Sequence, residues 1–210
     1  MRALKLILPM VALTVLVSLL SIWYYPSDHD FAVSNHQWNG YSDFVSEFEV
    51  LPLDSLEELL ELPENAALVA IPYRDYTTAE TEQLRLFVAT GGTLLVMDDY
   101  GYGNQLLEVF SFPERFAGTP LLDSLFCYGN QWLPMATEIN SDASVGGVSK
   151  LLTNHATALL NVPDEDLLAS SSSVSYLDLN LDSRYLADDD ILGPHPVAAV
   201  RQYARGQVFM

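Results

Sequence analysis

Three groups of residues in this 210-residue chain have types and spacing that chemistry uses. The first is Asp98-Asp99-Tyr100-Gly101-Tyr102-Gly103-Asn104, directly after the apolar run Thr93 to Met97. Adjacent carboxylates can supply a general base when burial or a like-charged neighbour raises one pKa. Asn35, Asn39, Ser42 and Arg74 fall in loops that leave other predicted strands. With Asp98, Asp99, Tyr100, Gly101 and Asn104 they make a candidate ligand or partner rim, since open α/β sheets bind ligands outside the carboxyl ends of their strands. Donors, acceptors, a cation and an aromatic ring suit a sugar or a peptide. The competing reading is that Asn and Asp cap helices and hold turns while the glycines relieve backbone strain.

The second group is Asp178-x-Asn180-x-Asp182, the 1, 3, 5 oxygen spacing of a calcium loop, with Asp189 at position twelve. Ser183 stands where the sharp-turn glycine belongs, and Asp189 is not the usual glutamate. A solvated acidic loop is the alternative to a calcium site. The third group is negative. His29, His36, His155 and His195 are dispersed without zinc-ligand spacing, and no G-x-S-x-G elbow exists. Gly101-x-Gly103 lacks both the third glycine of a dinucleotide fingerprint and the lysine of a P-loop. Cys127, the single cysteine, excludes a disulfide scaffold and reads as a small hydrophobe between Phe126 and Tyr128. No residue is assigned a catalytic role.

The elements that must position these residues follow from periodicity. Short strands are expected at Phe31–Val33 and Glu49–Leu51, with a helix over Tyr41–Phe48 between them. A capping box at Asp54–Glu57 opens a helix that Pro63 stops, and Leu68–Ile71 is a buried strand. A second capping box, Thr77 with Glu80, opens a helix with Leu84, Phe87 and Val88 facing inward and Gly91-Gly92 at its end. Thr93–Met97 is a central strand, and another helix opens near Gln105. Beyond Pro113 strands are expected at Val174–Leu177 and Val197–Val200, and a last one from Gln207 that reads as incomplete at Met210. Strands alternating with ten-residue helices predict a doubly wound α/β fold with a mainly parallel sheet.

Residues Leu6 to Trp23 carry no charge, follow Arg2 and Lys5, and precede Trp23-Tyr24-Tyr25. That pattern predicts one N-terminal transmembrane signal anchor in residues 1–25, with the lipid bilayer as partner of residues 6–23. Its charge asymmetry puts the N-terminus in the cytoplasm and residues 26–210 outside the cell membrane. A cleaved signal peptide is the rival, although Ser21-Ile22-Trp23 lacks a small-x-small cleavage pattern. With the two flanking cations set aside, seven basic residues face all 28 acidic ones. So large a negative excess disfavours nucleic acid as a partner.

Several of these runs together resemble one family. They are Ser34-Asn35-x-x-Trp38-Asn39-Gly40-x-Ser42, Gly91-Gly92-Thr93-Leu94-Leu95, Asp99-x-Gly101-x-Gly103-Asn104, Tyr176-Leu177-Asp178 and Gly193-Pro194-x-Pro196-Val197-Ala198. Over residues 31 to 208 the chain resembles the domain of unknown function 4350 family. That resemblance implies a membrane-anchored protein with a flavodoxin-like sheet similar to class I glutamine amidotransferases, and a final portion absent here. It implies no established activity. Amidotransferases carry a cysteine in a G-x-C-x-G elbow; here Gly103-Asn104-Gln105-Leu106-Leu107 matches its end, but Gly101 stands at the cysteine and Asp99 at the first glycine. Glycine has no nucleophile. The expected function is a non-catalytic binding or scaffolding domain with a membrane or envelope protein partner. The alternatives are an envelope glycan or peptide hydrolase using Asp98 or Asp99, and a calcium-dependent ligand-binding module.

Overall fold

Apolar runs and side-chain caps set the elements of the computed structural model, which describes residues 2–24, 32–37, 39–48, 50–53, 55–140 and 147–210. The chain divides into two compact units, residues 1–54 and 55–210. In the first, helix α1 spans Arg2–Tyr24 and α2 spans Ser42–Phe48. The apolar side chains of α1 that are described, from Ile7 to Leu20, are 46–66% exposed on every side of the helix. Among the described residues no helix is long and apolar enough to cross a membrane. The described side chains of α1 are Ile7 and those of 9–21, short of the expected span over 6–23. The anchor is therefore not carried by the structure itself.

Among the described residues, neither of the first two predicted strands is found. Phe31 and Glu49 lie outside the described residues, and Ala32, Val33, Val50 and Leu51 belong to no strand. The Ala32 carbonyl accepts the amides of Asn35 and Tyr41, both at 3.1 Å, so the chain turns back on itself where a ladder would need an extended backbone.

In the second unit a 3₁₀ helix (Leu56–Glu61) starts one residue later than predicted. Its cap is Ser55, whose amide donates back to Glu58 at 3.1 Å; Asp54 lies outside the described residues. Strand β1 (Ala67–Ala70), helix α3 (Thr78–Ala89), strand β2 (Thr93–Val96) and helix α4 (Asn104–Val109) follow. The Thr77–Glu80 capping box of α3 forms as predicted, and Leu84, Phe87 and Val88 are its buried stripe.

Only β strands follow α4 among the described residues: β3 (Arg115–Phe116), β4 (Leu121–Leu122), β5 (Met135–Ala136), β6 (Glu138–Ile139), β7 (Leu151–Leu152) and β8 (Leu159–Leu160). Then come β9 (Leu167–Ser170), β10 (Tyr176–Leu177), β11 (Ile191–Leu192), β12 (Pro196–Tyr203) and β13 (Gly206–Phe209).

The main sheet runs β1-β2-β13-β12-β9-β6. The β1–β2 and β2–β13 pairs are parallel, whereas β13–β12, β12–β9 and β9–β6 are antiparallel. The sheet is therefore mixed, which corrects the expectation of a mainly parallel one. The cause is local: parallel neighbours need crossovers of a dozen or more residues, usually helical, and the chain beyond α4 supplies turns instead. Strand β13 lies between β2 and β12 with Val208 fully buried, so it is no open edge. Leu94, Val96, Leu106, Leu107, Ala199 and Val208 close the core around it, each at most 1% exposed.

In and after the serine run at Ser170–Ser173, which has no period to read, Ser171, Ser172 and Ser175 form a buried polar knot, while Ser173 is exposed. Ser171 Oγ and Ser175 Oγ lie 2.7 Å apart, the His195 amide donates to Ser171 Oγ at 2.9 Å, and Ser172 Oγ donates to Asp123 Oδ2 at 2.5 Å. Asp123 is fully buried, and its other oxygen accepts the Leu125 and Phe126 amides. Ser172→Ala should therefore cost about 1–3 kcal/mol in urea unfolding, the penalty of a buried acceptor left short of a donor. The same substitution in an Asp123→Asn background should cost measurably less; equal costs would show that the two side chains are uncoupled.

Candidate functional site

The loops that leave β1 and β2 carry most of the predicted rim. Asp98 sits where β2 ends and the backbone must turn three times before α4 begins. Its Oδ1 accepts the amides of Tyr100 (2.9 Å) and Gly101 (3.1 Å), and its Oδ2 accepts the amide of Gly103 (2.5 Å). Both oxygens are thus committed to backbone donors, which leaves neither poised to take a proton from a substrate. Gly101 has φ +94°, a left-handed conformation that favours glycine. A Cβ on Gly103 would stand 2.8 Å from the Phe116 ring and 3.0 Å from Asp98 Oδ2, so helix and strand meet here only because position 103 has no side chain.

Two carboxamides extend the same clamp outward. Asn104 donates to the Phe116 carbonyl (3.0 Å) and accepts its amide (2.7 Å); Gln105 does the same with Tyr76 at 2.8 and 2.7 Å. Each side chain pairs with a neighbouring loop as a second backbone would. Arg74 makes a two-point ion pair with Glu80 and donates to the Asp75 carbonyl. That guanidinium, with the Thr77 cap, holds the Glu80 carboxyl down to about 2. The predicted polar rim is therefore largely spent on its own loops.

The remaining rim is aromatic. Tyr73 is 75% exposed, Tyr100 73% and Tyr102 40%, all on loops fixed by Asp98, Asn104 and Gln105. Asp99 differs from Asp98: burial raises its carboxyl pKa, the Asp98 charge adds to the rise, and nearby His155 opposes it. His155 stacks on Trp132 with ring centroids 5.0 Å apart and has φ +50°. Trp132 and His155 come from loops beyond Pro113, where no periodic signal places them beside β2.

Asn35, Asn39 and Ser42 belong to the first unit. Asn35 is 1% exposed; its Oδ1 accepts the Gln37 amide and its Nδ2 donates to Asn39 Oδ1 at 3.1 Å, so it organises its own turn. Ser42 is buried at the start of α2, its hydroxyl 3.3 Å from Asp43.

The calcium reading finds no support in the side-chain geometry. Fully buried Asp178 accepts the amides of Asp182 and Ser183, and Asn180 accepts that of Asp182. The residue that closes the loop is Asp190, not Asp189; its two oxygens accept the Leu179 and Leu186 amides at 3.2 and 2.7 Å. Among the described residues no group of three or more His, Cys, Asp or Glu side chains could hold a metal ion. Cys127 is unpaired with other sulfurs and half-buried. Another charged group escaped the sequence: fully buried Glu114 pairs with Arg201 at 2.6 Å, and Arg201 also reaches Asp166 at 3.2 Å. Nothing in the spacing of Glu114 and Arg201 announces that contact.

The fold is thus a mixed α/β domain whose sheet contains parallel strands. The chain belongs to the family described as Domain of unknown function (DUF4350), whose model matches residues 33–208. Among solved structures, the mmIFT52 N-terminal domain is similar, with a TM-score of 0.60 at 15% identity, over 88% of this chain and 82% of that chain. A likeness at that identity speaks for the fold alone. No curated protein matches the sequence.

The two adjacent aspartates should respond oppositely to amidation. Asp98→Asn sets an amide NH2 against at least one of the three backbone donors and removes the charged acceptor, so it should cost about 1.5–3 kcal/mol, the range for bonds to a charged acceptor. Asp99→Asn should raise the melting temperature at pH 7. With its folded pKa above the unfolded value, Asp99 lowers stability progressively as pH rises through that window, so the gain should vanish in acid. Thermal melts from pH 3 to 8 read both effects; parallel shifts of the two variants would contradict the assignment.

Proposed function

We propose that this protein is a membrane-anchored, non-catalytic binding or scaffolding domain of an envelope assembly. The observation that carries the reading is the state of the rim. Its polar side chains hold loops, its elbow has glycine at Gly101 where related enzymes have a nucleophile, and what it offers outward is Tyr73, Tyr100 and Tyr102. Rigidly held tyrosines favour recognition, because they bury large area at low conformational cost. An amidotransferase-like ancestry, with the strand–elbow–helix geometry kept and its chemistry lost, is consistent with β2, the Asp98 turn and α4 following one another.

The anchor belongs to the same proposal. Helix α1 is 23 residues long, about 34 Å at 1.5 Å per residue, and the sequence carries no charge from Leu6 to Trp23. In this reading residues 6–23 contact lipid, the N-terminus faces the cytoplasm, and the rim meets a membrane or envelope protein on the other side.

A photocrosslinking amino acid at Tyr100 in the full chain, in intact membranes, tests the reading. It should capture a small, reproducible set of membrane-fraction proteins, and Tyr73→Ala should reduce their yield severalfold. A reporter at exposed Glu108 should not capture them. Identical products from both positions, or none from Tyr100, would remove the basis for a rim partner. Alkaline extraction tests the anchor: the full chain should stay in the membrane pellet, and deletion of residues 1–25 should release it.

A second reading has one specific observation behind it. Asp99, with its raised pKa and with His155 nearby, has the environment of a general base acting on an envelope glycan or peptide. Asp99→Asn would then abolish turnover of such a substrate while the protein remains folded.

A further inference from the structure

A second surface, sharing no residue with the rim, lies on the segment between β10 and β12. Leu179, Leu181, Leu186, Ile191 and Leu192 are each 46–69% exposed along fourteen residues of chain. Single exposed apolar side chains are ordinary, and this segment concentrates five of them around the β11 edge. Strand β11 holds two of them at the free edge of the β11-β10-β4 sheet.

The segment is built to be stiff. Asp178 and Asp190, buried at its two ends, take four backbone amides, and Leu181 and Ser183 are held at φ 61° and 60°. A leucine in that conformation carries backbone strain, which persists only where the surroundings impose it. The Gln131 side chain pins the segment from outside: it donates to the Ser183 carbonyl at 3.0 Å and accepts the Ser124 hydroxyl at 3.0 Å. The aliphatic side chains are thus presented by a clamped backbone, which lowers the ordering cost of binding.

Charge defines what can cover them. Asp182, Asp188 and Asp189 stand exposed among the leucines against a single exposed cation, Arg184. The whole chain carries −19, so a second copy or an anionic lipid surface would meet repulsion across the contact. We propose that residues 179–192 form a docking surface for a partner protein segment that is both apolar and cationic, its side chains covering the leucines and its lysines or arginines meeting the three aspartates.

The test uses the full chain in detergent and three labelled peptides of one length: leucine with lysine, leucine with glutamate, and serine with lysine. Fluorescence anisotropy should show the leucine–lysine peptide binding at least about tenfold more tightly than the other two, more weakly as salt rises. Ile191→Ser should weaken it about tenfold, the effect of losing one buried aliphatic side chain. Leu181→Gly is the discriminating variant. It removes the side chain and relieves the positive φ, so binding should fall about as far while the melting temperature stays or rises. The proposal fails if no peptide binds, if serine–lysine binds as well as leucine–lysine, or if both variants bind like the parent. It also fails if the substitutions instead abolish self-association or capture by anionic vesicles, which would assign the surface to a second copy or to lipid.

Discussion

The carboxylate of Asp98 is the contact on which the β2–α4 elbow depends. The β2 ladder ends with the Met97 amide, which reaches the Ala70 carbonyl at 2.9 Å, and the amides between it and the helix that begins at Asn104 need other acceptors. One side chain supplies three of those acceptances. Because the acceptor is charged, these bonds are stronger than neutral ones, and they fix the loop tightly enough for Asn104 and Gln105 to reach the Phe116 and Tyr76 backbones. The side chain that suggests a general base in sequence thus serves the turn in the fold.

This solution recurs. Asp123, Asp178 and Asp190, all buried, likewise each accept at least two backbone amides. Part of the chain's acidity is therefore internal architecture, standing in for secondary structure where strands are only two residues long. The charge excess read from composition as a surface property is partly that, and partly a set of turn acceptors. The backbone donors around them offset the cost of burying so polar a side chain.

The legible parts of the fold were those with local causes. Thr77, Glu80 and the Leu84-Phe87-Val88 stripe announce α3, because a cap and an i, i+3, i+4 face are written within one helix. Thr93 to Val96 is legible as a buried run bounded by glycines. The rest depends on partners far along the chain. Two-residue strands such as β3, β4 and β10 have no period to detect, and the antiparallel pairing of β12 with β9 is decided by which turns connect them. At the candidate site, Asp98, Asp99, Tyr100 and Asn104 lie in the loop that leaves β2, as their sequence position implies. Sequence reasoning could not assign their duties, since whether a carboxamide faces solvent or pairs with Phe116 is settled by a loop twelve residues away. Trp132 and His155 lie beyond any local signal.

The residues that carry the family resemblance are spent mostly on backbone geometry. Asn35 orders its turn, Gly103 admits the Phe116 ring, Asn104 clamps a loop, Asp178 closes another, and a Cβ at Gly193 would collide with Ser175 Oγ and the Ser172 carbonyl. A signature made of such positions defines a scaffold, and scaffolds host unrelated functions. The side chains the scaffold does not need are the tyrosines at the strand ends and the leucines between β10 and β12. None of them fills the core or closes a turn, yet each is held by one that does. In the proposed reading, recognition requires bulky side chains in fixed positions, and the committed carboxylates and carboxamides fix the backbone that presents them.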